Sequence, residues 1–188
     1  ELLLFSGAHR EAFDVLLAAY QRAPEPQLRQ QLCTTIVEGL AADFEQFSPL
    51  AKAHAELFET PNSKFERLRA LAEQQTHAGH SNQAFDTLLE MSRLEGLDEV
   101  DAAAGDLAVR RDRWLAGQLL DLYRSANPQQ RAQIDAAATE HLQQASGTGL
   151  AALQRHLNLF SWHATAEQAR WNILEQLGRE QTIERENH

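Results

Sequence analysis

Histidine is the side chain in this sequence best placed to do chemistry, and two spacings stand out. His77-Ala78-Gly79-His80 has an H-x-x-H spacing that could bring two imidazoles to one metal ion. A structural zinc centre takes about four ligands, and no further Cys or His pair is set out to complete one, so no metal ligand is assigned. The same segment falls where one helix ends and the next begins. A histidine there complements the carbonyl end of the helix dipole, and turn chemistry is the reading adopted. Further along, His156 and His163 flank Phe160-Ser161-Trp162. This cluster reads either as a plug closing the core between two short helices, given the area aromatic rings bury, or as a small pocket using His156, Phe160 and Trp162.

Nucleophile and phosphate motifs are absent. There is no G-x-S-x-G, no H-E-x-x-H and no glycine-rich phosphate loop. Cys33 is the only cysteine, which excludes an intrachain disulfide. It lies between Leu32 and Ile36 on an apolar stripe and reads as a small core residue. Glu140 and His141 are neighbours in sequence, which puts them about 100° apart on a helix rather than on one face. Asp43 and Glu45 could join a mixed site but read as solvating charges. No catalytic residue and no cofactor are assigned.

Arg110-Arg111-Asp112-Arg113 is the clearest basic cluster. Asp106, Asp112 and Asp121 dilute it, and it reads as a solvated helix face. The formal net charge of −10 argues against broad attraction to nucleic acid or to an anionic membrane. Trp114 and Trp171 read as core, since tryptophan is highly buried on average. A tryptophan exposed beside Arg110 or Arg113 would instead be an interaction hot spot. The candidate interaction surface is therefore Arg110, Arg113, Trp114, His156 and Trp162, and the expected partner is a protein or a neighbouring domain of the same chain. No nucleic-acid partner is expected. No apolar run reaches the roughly 18 residues of a membrane-spanning helix.

The elements that must position these residues are helical. Ala, Leu, Gln, Glu and Arg dominate, all good helix formers. AFDVLL at 12–17 returns as AFDTLL at 84–89, an offset of 72 residues and room for two hairpins of about 36 residues each. A third echo, Leu119-Leu120-Asp121-Leu122-Tyr123, starts 103 residues after Leu16 and is out of step with that period. Periodicity predicts helices over 8–22, from Pro26 as far as Phe47, over 49–59 behind a Ser48-Pro49 start, and from Pro61 to near Gly79. Others are predicted from a Ser81 cap to Gly96, over 111–125, from Asn127-Pro128 through Leu142, over 150–160 and over 164–177. Residues 97–108 read as a short helix and a loop, Ser146-Gly147-Thr148-Gly149 as a flexible turn, and 178–188 as a fraying tail. The expected fold is all-α. Its antiparallel hairpins form a stacked solenoid or compact helical-repeat bundle in one domain, 1–188, with sub-units 1–96 and 106–178 joined by 97–105.

Phe13-x-x-Leu16-Leu17-x-x-Tyr20 resembles the first helix of a tetratricopeptide repeat, with Leu17 where that family has a small residue. The resemblance covers about three hairpins and implies a docking groove lined by the first helices. Val109-Arg110-Arg111-Asp112-Arg113-Trp114, Asn127-Pro128-x-x-Arg131 and LQRHLNLFSWHATAEQARWNILEQL at 153–177 resemble the helical segment of large bacterial, planctomycete-type proteins. Those proteins also carry PQQ-like, BamB-type β-propeller repeats. That resemblance implies a scaffold beside a propeller, without catalytic residues of its own, in the cell envelope or periplasm; without it the chain reads as cytoplasmic. The sequence starts at Glu1 without a methionine, and Leu2–Gly7 look like a last helical turn with its glycine cap, so a piece of a longer protein is expected. The expected function is a non-catalytic scaffold for protein–protein or interdomain contact. The alternative is a ligand-binding helical domain accessory to an enzyme, with its pocket near His156, Phe160 and Trp162.

Overall fold

Prolines and capping side chains set several of the helix starts. The computed structural model describes residues 9–97, 100–102 and 108–186. The elements run α1 (His9–Arg22), α2 (Pro26–Ala42), α3 (Phe44–Ala53), a 3₁₀ turn (Ala55–Leu57), α4 (Pro61–His77), α5 (Ser81–Met91), β1 (Val100–Ala102), β2 (Ala108–Arg110), α6 (Arg111–Ser125), α7 (Pro128–Thr148), α8 (Leu150–Phe160) and α9 (Thr165–Glu186). The fold is all-α apart from one short hairpin. Pro26, Pro61 and Pro128 each stand in a first helical turn, where a missing N–H leaves no bond unmade. Thr60 Oγ1 accepts from the Ser63 N–H at 3.1 Å. Asn127 and Gln130 exchange both bonds of a capping box at 2.9 Å.

Several expected boundaries move, each for a local reason. Ser48-Pro49 does not start a helix, and α2 does not reach Phe47. Asp43 breaks the chain first, and its carboxylate accepts from the Gln46 N–H at 3.1 Å, so α3 begins at Phe44 and carries Pro49 inside it. Ser81 is not a cap either; His80 holds that position without a side-chain bond. Within 97–108, the described parts pair as antiparallel strands, with Val100 opposite Arg110 and Asp101 opposite Val109. The β-branched Val100 and Val109 suit that extended backbone. Residues 98–99 and 103–107 lie outside the described residues, as do 1–8 with the expected Gly7 cap. Ser146, Gly147 and Thr148 are helical, and only Gly149 turns, at φ 123°. The expected fraying tail is helix as far as Glu186. α5 stops at Met91, short of Gly96.

The chain forms two compact units that part between Gly96 and Leu97. In the first, α1 pairs with α2, α4 with α5, and α2 packs against both α3 and α4. The repeated phrases play matching parts there: Ala12 and Phe13, like Ala84 and Phe85, are buried. Val15, at 62% exposure, points away. Gly39 of α2 admits the Phe47 ring of α3 against its backbone, where a Cβ would overlap the ring. Arg67 stitches three helices: it donates to the Ala51 carbonyl at 3.4 Å, pairs with Glu90 at 3.5 Å and lies over the Phe58 ring at 5.7 Å. Burial lowers its pKa from the ordinary arginine value. In the second unit, α8 lies against α6, α7 and α9. Leu142 and Ala145 of α7, Leu153 of α8 and Ala169 of α9 form a core cluster.

Candidate functional site

The H-x-x-H segment is a turn. The His80 N–H donates to the Gln75 carbonyl at 2.8 Å and the Gly79 N–H to Thr76 at 3.0 Å, with Gly79 at φ 76°. This 6→1 and 5→2 pairing is a Schellman motif, which satisfies the last carbonyls of α4. Both imidazoles are exposed. Among the described residues no group of three or more His, Cys, Asp or Glu side chains is arranged to hold a metal ion.

The expected interaction residues fall into two groups at opposite ends of α6. Arg110 and Asp112 form a two-bond ion pair at 3.1 and 2.7 Å, and Asp112 is itself buried. Arg111 is also buried, at 2% exposure, so 110–113 is not the solvated basic face expected. The cause is the adjoining strand and the Leu97 carbonyl, which accepts the Asp112 N–H at 2.9 Å and draws the first turn of α6 inward. Arg113 is exposed and Trp114 half-buried. Nine residues further along α6, about 13 Å, Tyr123 meets Trp162 with ring centroids 5.1 Å apart. His156 is fully buried and belongs to no exposed surface. Trp171 is 59% exposed, the reverse of the expected core role.

The second end holds a connected polar site. Phe160 is its hub: its ring stacks on His156 at 5.0 Å and lies 5.5 Å from His141 and 6.1 Å from Trp162. Around this hub runs a chain of hydrogen bonds. His141 Nδ1 meets His156 Nδ1 at 3.0 Å. His156 Nε2 meets Thr165 Oγ1 at 3.0 Å. Thr165 Oγ1 meets His163 Nδ1 at 3.0 Å, and His163 Nε2 meets Asp135 Oδ1 at 2.9 Å.

The direction of every bond follows from its two ends. A carboxylate only accepts, so His163 donates from Nε2. His163 Nδ1 accepts, because the Thr165 backbone N–H also points at it, at 3.2 Å. Thr165 therefore donates its hydroxyl proton to His163 and receives one from His156 Nε2. His156 Nδ1 is then an acceptor, and His141 donates from its Nδ1. Burial, with His141 and His163 nearby, lowers the His156 pKa from 6.5 to about 4. The neutral form that this directed chain requires is the form the site favours.

The chain ends at an open cleft of about 570 Å³, lined by Tyr123, Asp135, Trp162, His163 and Thr165 among others. Partial burial, then the nearby Asp135 carboxylate, raises the Tyr123 pKa. Trp162 is fixed by donating Nε1–H to the Leu159 carbonyl at 3.1 Å. Trp162 and the buried pair behind it, His156 and Phe160, are legible in the sequence as near neighbours; Tyr123, Asp135, His141 and Thr165 are not. Spacing could have flagged Asp135, Thr139 and Leu142 as one face of α7. Nothing local ties that face to Tyr123.

No protein-family model, curated protein or solved structure matches this chain. No helix among the described residues is long and apolar enough to cross a membrane.

Proposed function

We propose that this chain is a non-catalytic helical scaffold, built from degenerate tetratricopeptide-like hairpins, that docks a further helical element. That element belongs to another protein or to a neighbouring domain of a longer chain, which the resemblance to propeller-bearing bacterial proteins would supply. The observation that carries this reading is on α9. Trp171 and Leu174 are each 59% exposed and Leu177 39%, at three-residue intervals. Such an i±3 row forms a ridge that fits the groove of another helix. Ala166, Ala169 and Ile173 of the same helix face the core.

The ridge also lies where a neighbour has access. The contacts Asp135–His163 and Ser146–Asn172, at 2.9 and 2.8 Å, run in the same sense along α7 and α9, so the two helices are parallel. α7 ends at Thr148, two residues beyond Ser146, whereas α9 continues to Glu186. Leu177 thus lies at the overhanging part of α9. In stacked hairpins, this is the surface the next repeat covers.

Site-specific photocrosslinking in the native host tests the reading. A benzoylphenylalanine at Trp171 or Leu174 is expected to capture a polypeptide, and one at exposed Arg155 on α8 is not. Equal yields at all three positions, or no adduct at the ridge, would overturn it.

A further inference from the structure

We infer that the cleft beside Trp162 is a binding site for a small organic cation, of the quaternary or methylated ammonium class. The proposal stands independently of the docking ridge on α9. Three features of the cleft carry it.

The first is its charge. Its lining holds one carboxylate, Asp135, and no arginine or lysine. The Asp135 side chain is 46% exposed, so its carboxylate faces the opening. His163 Nε2 donates to that carboxylate. A carboxylate has about four lone-pair sites, so acceptor capacity remains for a ligand. The directed hydrogen-bond chain through Thr165 and His156 holds the His163 ring in the tautomer that donates to Asp135. The negative group is thereby fixed in place before any ligand arrives.

The second is the aromatic wall. Tyr123 and Trp162 meet at 45° with centroids 5.1 Å apart, forming a corner. Trp is the best of the ring partners for a cation, and attraction strengthens where the ring is partly desolvated. The ring chemistry is already in use next door: Arg131 lies 5.6 Å from the Tyr123 ring centroid. Its Nε and Nη2 donate to the Tyr123 and Arg124 carbonyls at 3.2 and 2.9 Å, which commits that guanidinium to the backbone. The Trp162 wall and Asp135 are left to a ligand.

The third is size and floor. About 570 Å³ is within the usual range for small-molecule sites. Leu142 and Ala164 supply apolar surface suited to N-methyl groups rather than to a hydrated metal ion. An anion would meet the Asp135 carboxylate with no cationic side chain in the lining to offset it.

The test uses choline and its neutral isostere 3,3-dimethylbutan-1-ol as probes, read by the three tryptophan indole N–H signals in NMR, with Trp162 assigned through Trp162→Phe. Choline is expected to shift the Trp162 signal saturably and leave Trp114 and Trp171 in place. The isostere should bind at least about tenfold more weakly. Asp135→Asn, shown to be folded by its thermal melt, is expected to reduce choline affinity to the level of the isostere. No saturable shift with choline, or equal affinities for the two probes on the native protein, would overturn the proposal. So would undiminished choline binding by Asp135→Asn. The comparison of the two probes is made on the native protein and stands even if the Asp135 substitution unfolds the chain.

Discussion

The Nδ1 atoms of His141 and His156 face each other at 3.0 Å. Two imidazole nitrogens meet this closely only when one carries the proton and the other its lone pair. His156 can accept here only as a neutral ring, and its other nitrogen is committed to Thr165. Protonating His156 would set two N–H groups against each other inside the aromatic cluster.

That arrangement makes the stability of the second unit depend on pH. In the unfolded chain His156 takes a proton near 6.5, and in the folded chain only near 4. Between those values the unfolded state binds more protons, so the free energy of unfolding falls as pH drops through that window, and this contribution is flat above it. The total is on the order of 3 kcal/mol. Denaturant melts across this range are expected to show a shallower pH slope for His156→Gln than for the native chain. Identical slopes would contradict the assignment.

The Thr165 hydroxyl bridges His156 Nε2 and His163 Nδ1 at 3.0 Å each, so it is expected to matter more than the methyl. Thr165→Val keeps the shape and leaves two ring nitrogens without their shared partner, at a cost of about 1–3 kcal/mol. Thr165→Ser is expected to recover most of that loss. Nitrogen chemical shifts should show His156 and His163 protonated at Nε2. A valine variant as stable as the native chain would remove the relay from consideration.

Two glycine-to-alanine changes should act in opposite directions. Helix propensity alone favours alanine by about 1 kcal/mol at either position. At Gly39 the new Cβ would overlap the buried Phe47 ring, and overpacking of that kind typically costs about 1–3 kcal/mol. At exposed Gly117 in α6 nothing lies within 4 Å, so the propensity gain should be realised. Thermal melts should place Gly39→Ala below the native chain and Gly117→Ala above it.

Pro49 sits inside α3 and cannot donate to the Glu45 carbonyl. Pro49→Ala restores that donor on an exposed position. A gain of about 2 kcal/mol is expected, since proline is roughly 3 kcal/mol less favourable than alanine in a helix but stiffens the unfolded chain. A neutral or negative change in melting would show that the proline is favoured by its surroundings.

The same proline shows how far local signals reach. Asn127-Pro128 and Thr60-Pro61 marked helix starts correctly, because the cap and the orphan N–H it satisfies lie within three residues. Ser48-Pro49 has the same signature and misleads, because Asp43 captures the Gln46 N–H one turn earlier. Ser146-Gly147-Thr148-Gly149 looks like a loop. Yet Ser146 and Thr148 return their hydroxyls to the Leu142 and Gln144 carbonyls, and only Gly149 leaves the helix. The aromatic end of α8 was readable from Phe160-Ser161-Trp162, since its residues are neighbours. Asp135 is 28 positions from His163. A single pairing across that distance leaves no periodic trace, and it needed the packed helices to be seen.

A single residue, Gly149, separates the end of α7 from the start of α8. The chain reverses there without a loop whose closure must be paid in entropy, so the contacts between these helices are among the most local in the second unit. Local contacts form fastest, and helical hairpins of this kind assemble on the microsecond-to-millisecond scale. The α7–α8 hairpin is therefore expected to form early as this unit folds. Strain introduced at Gly149, where a side chain would have to adopt φ 123°, should slow refolding as well as lower stability.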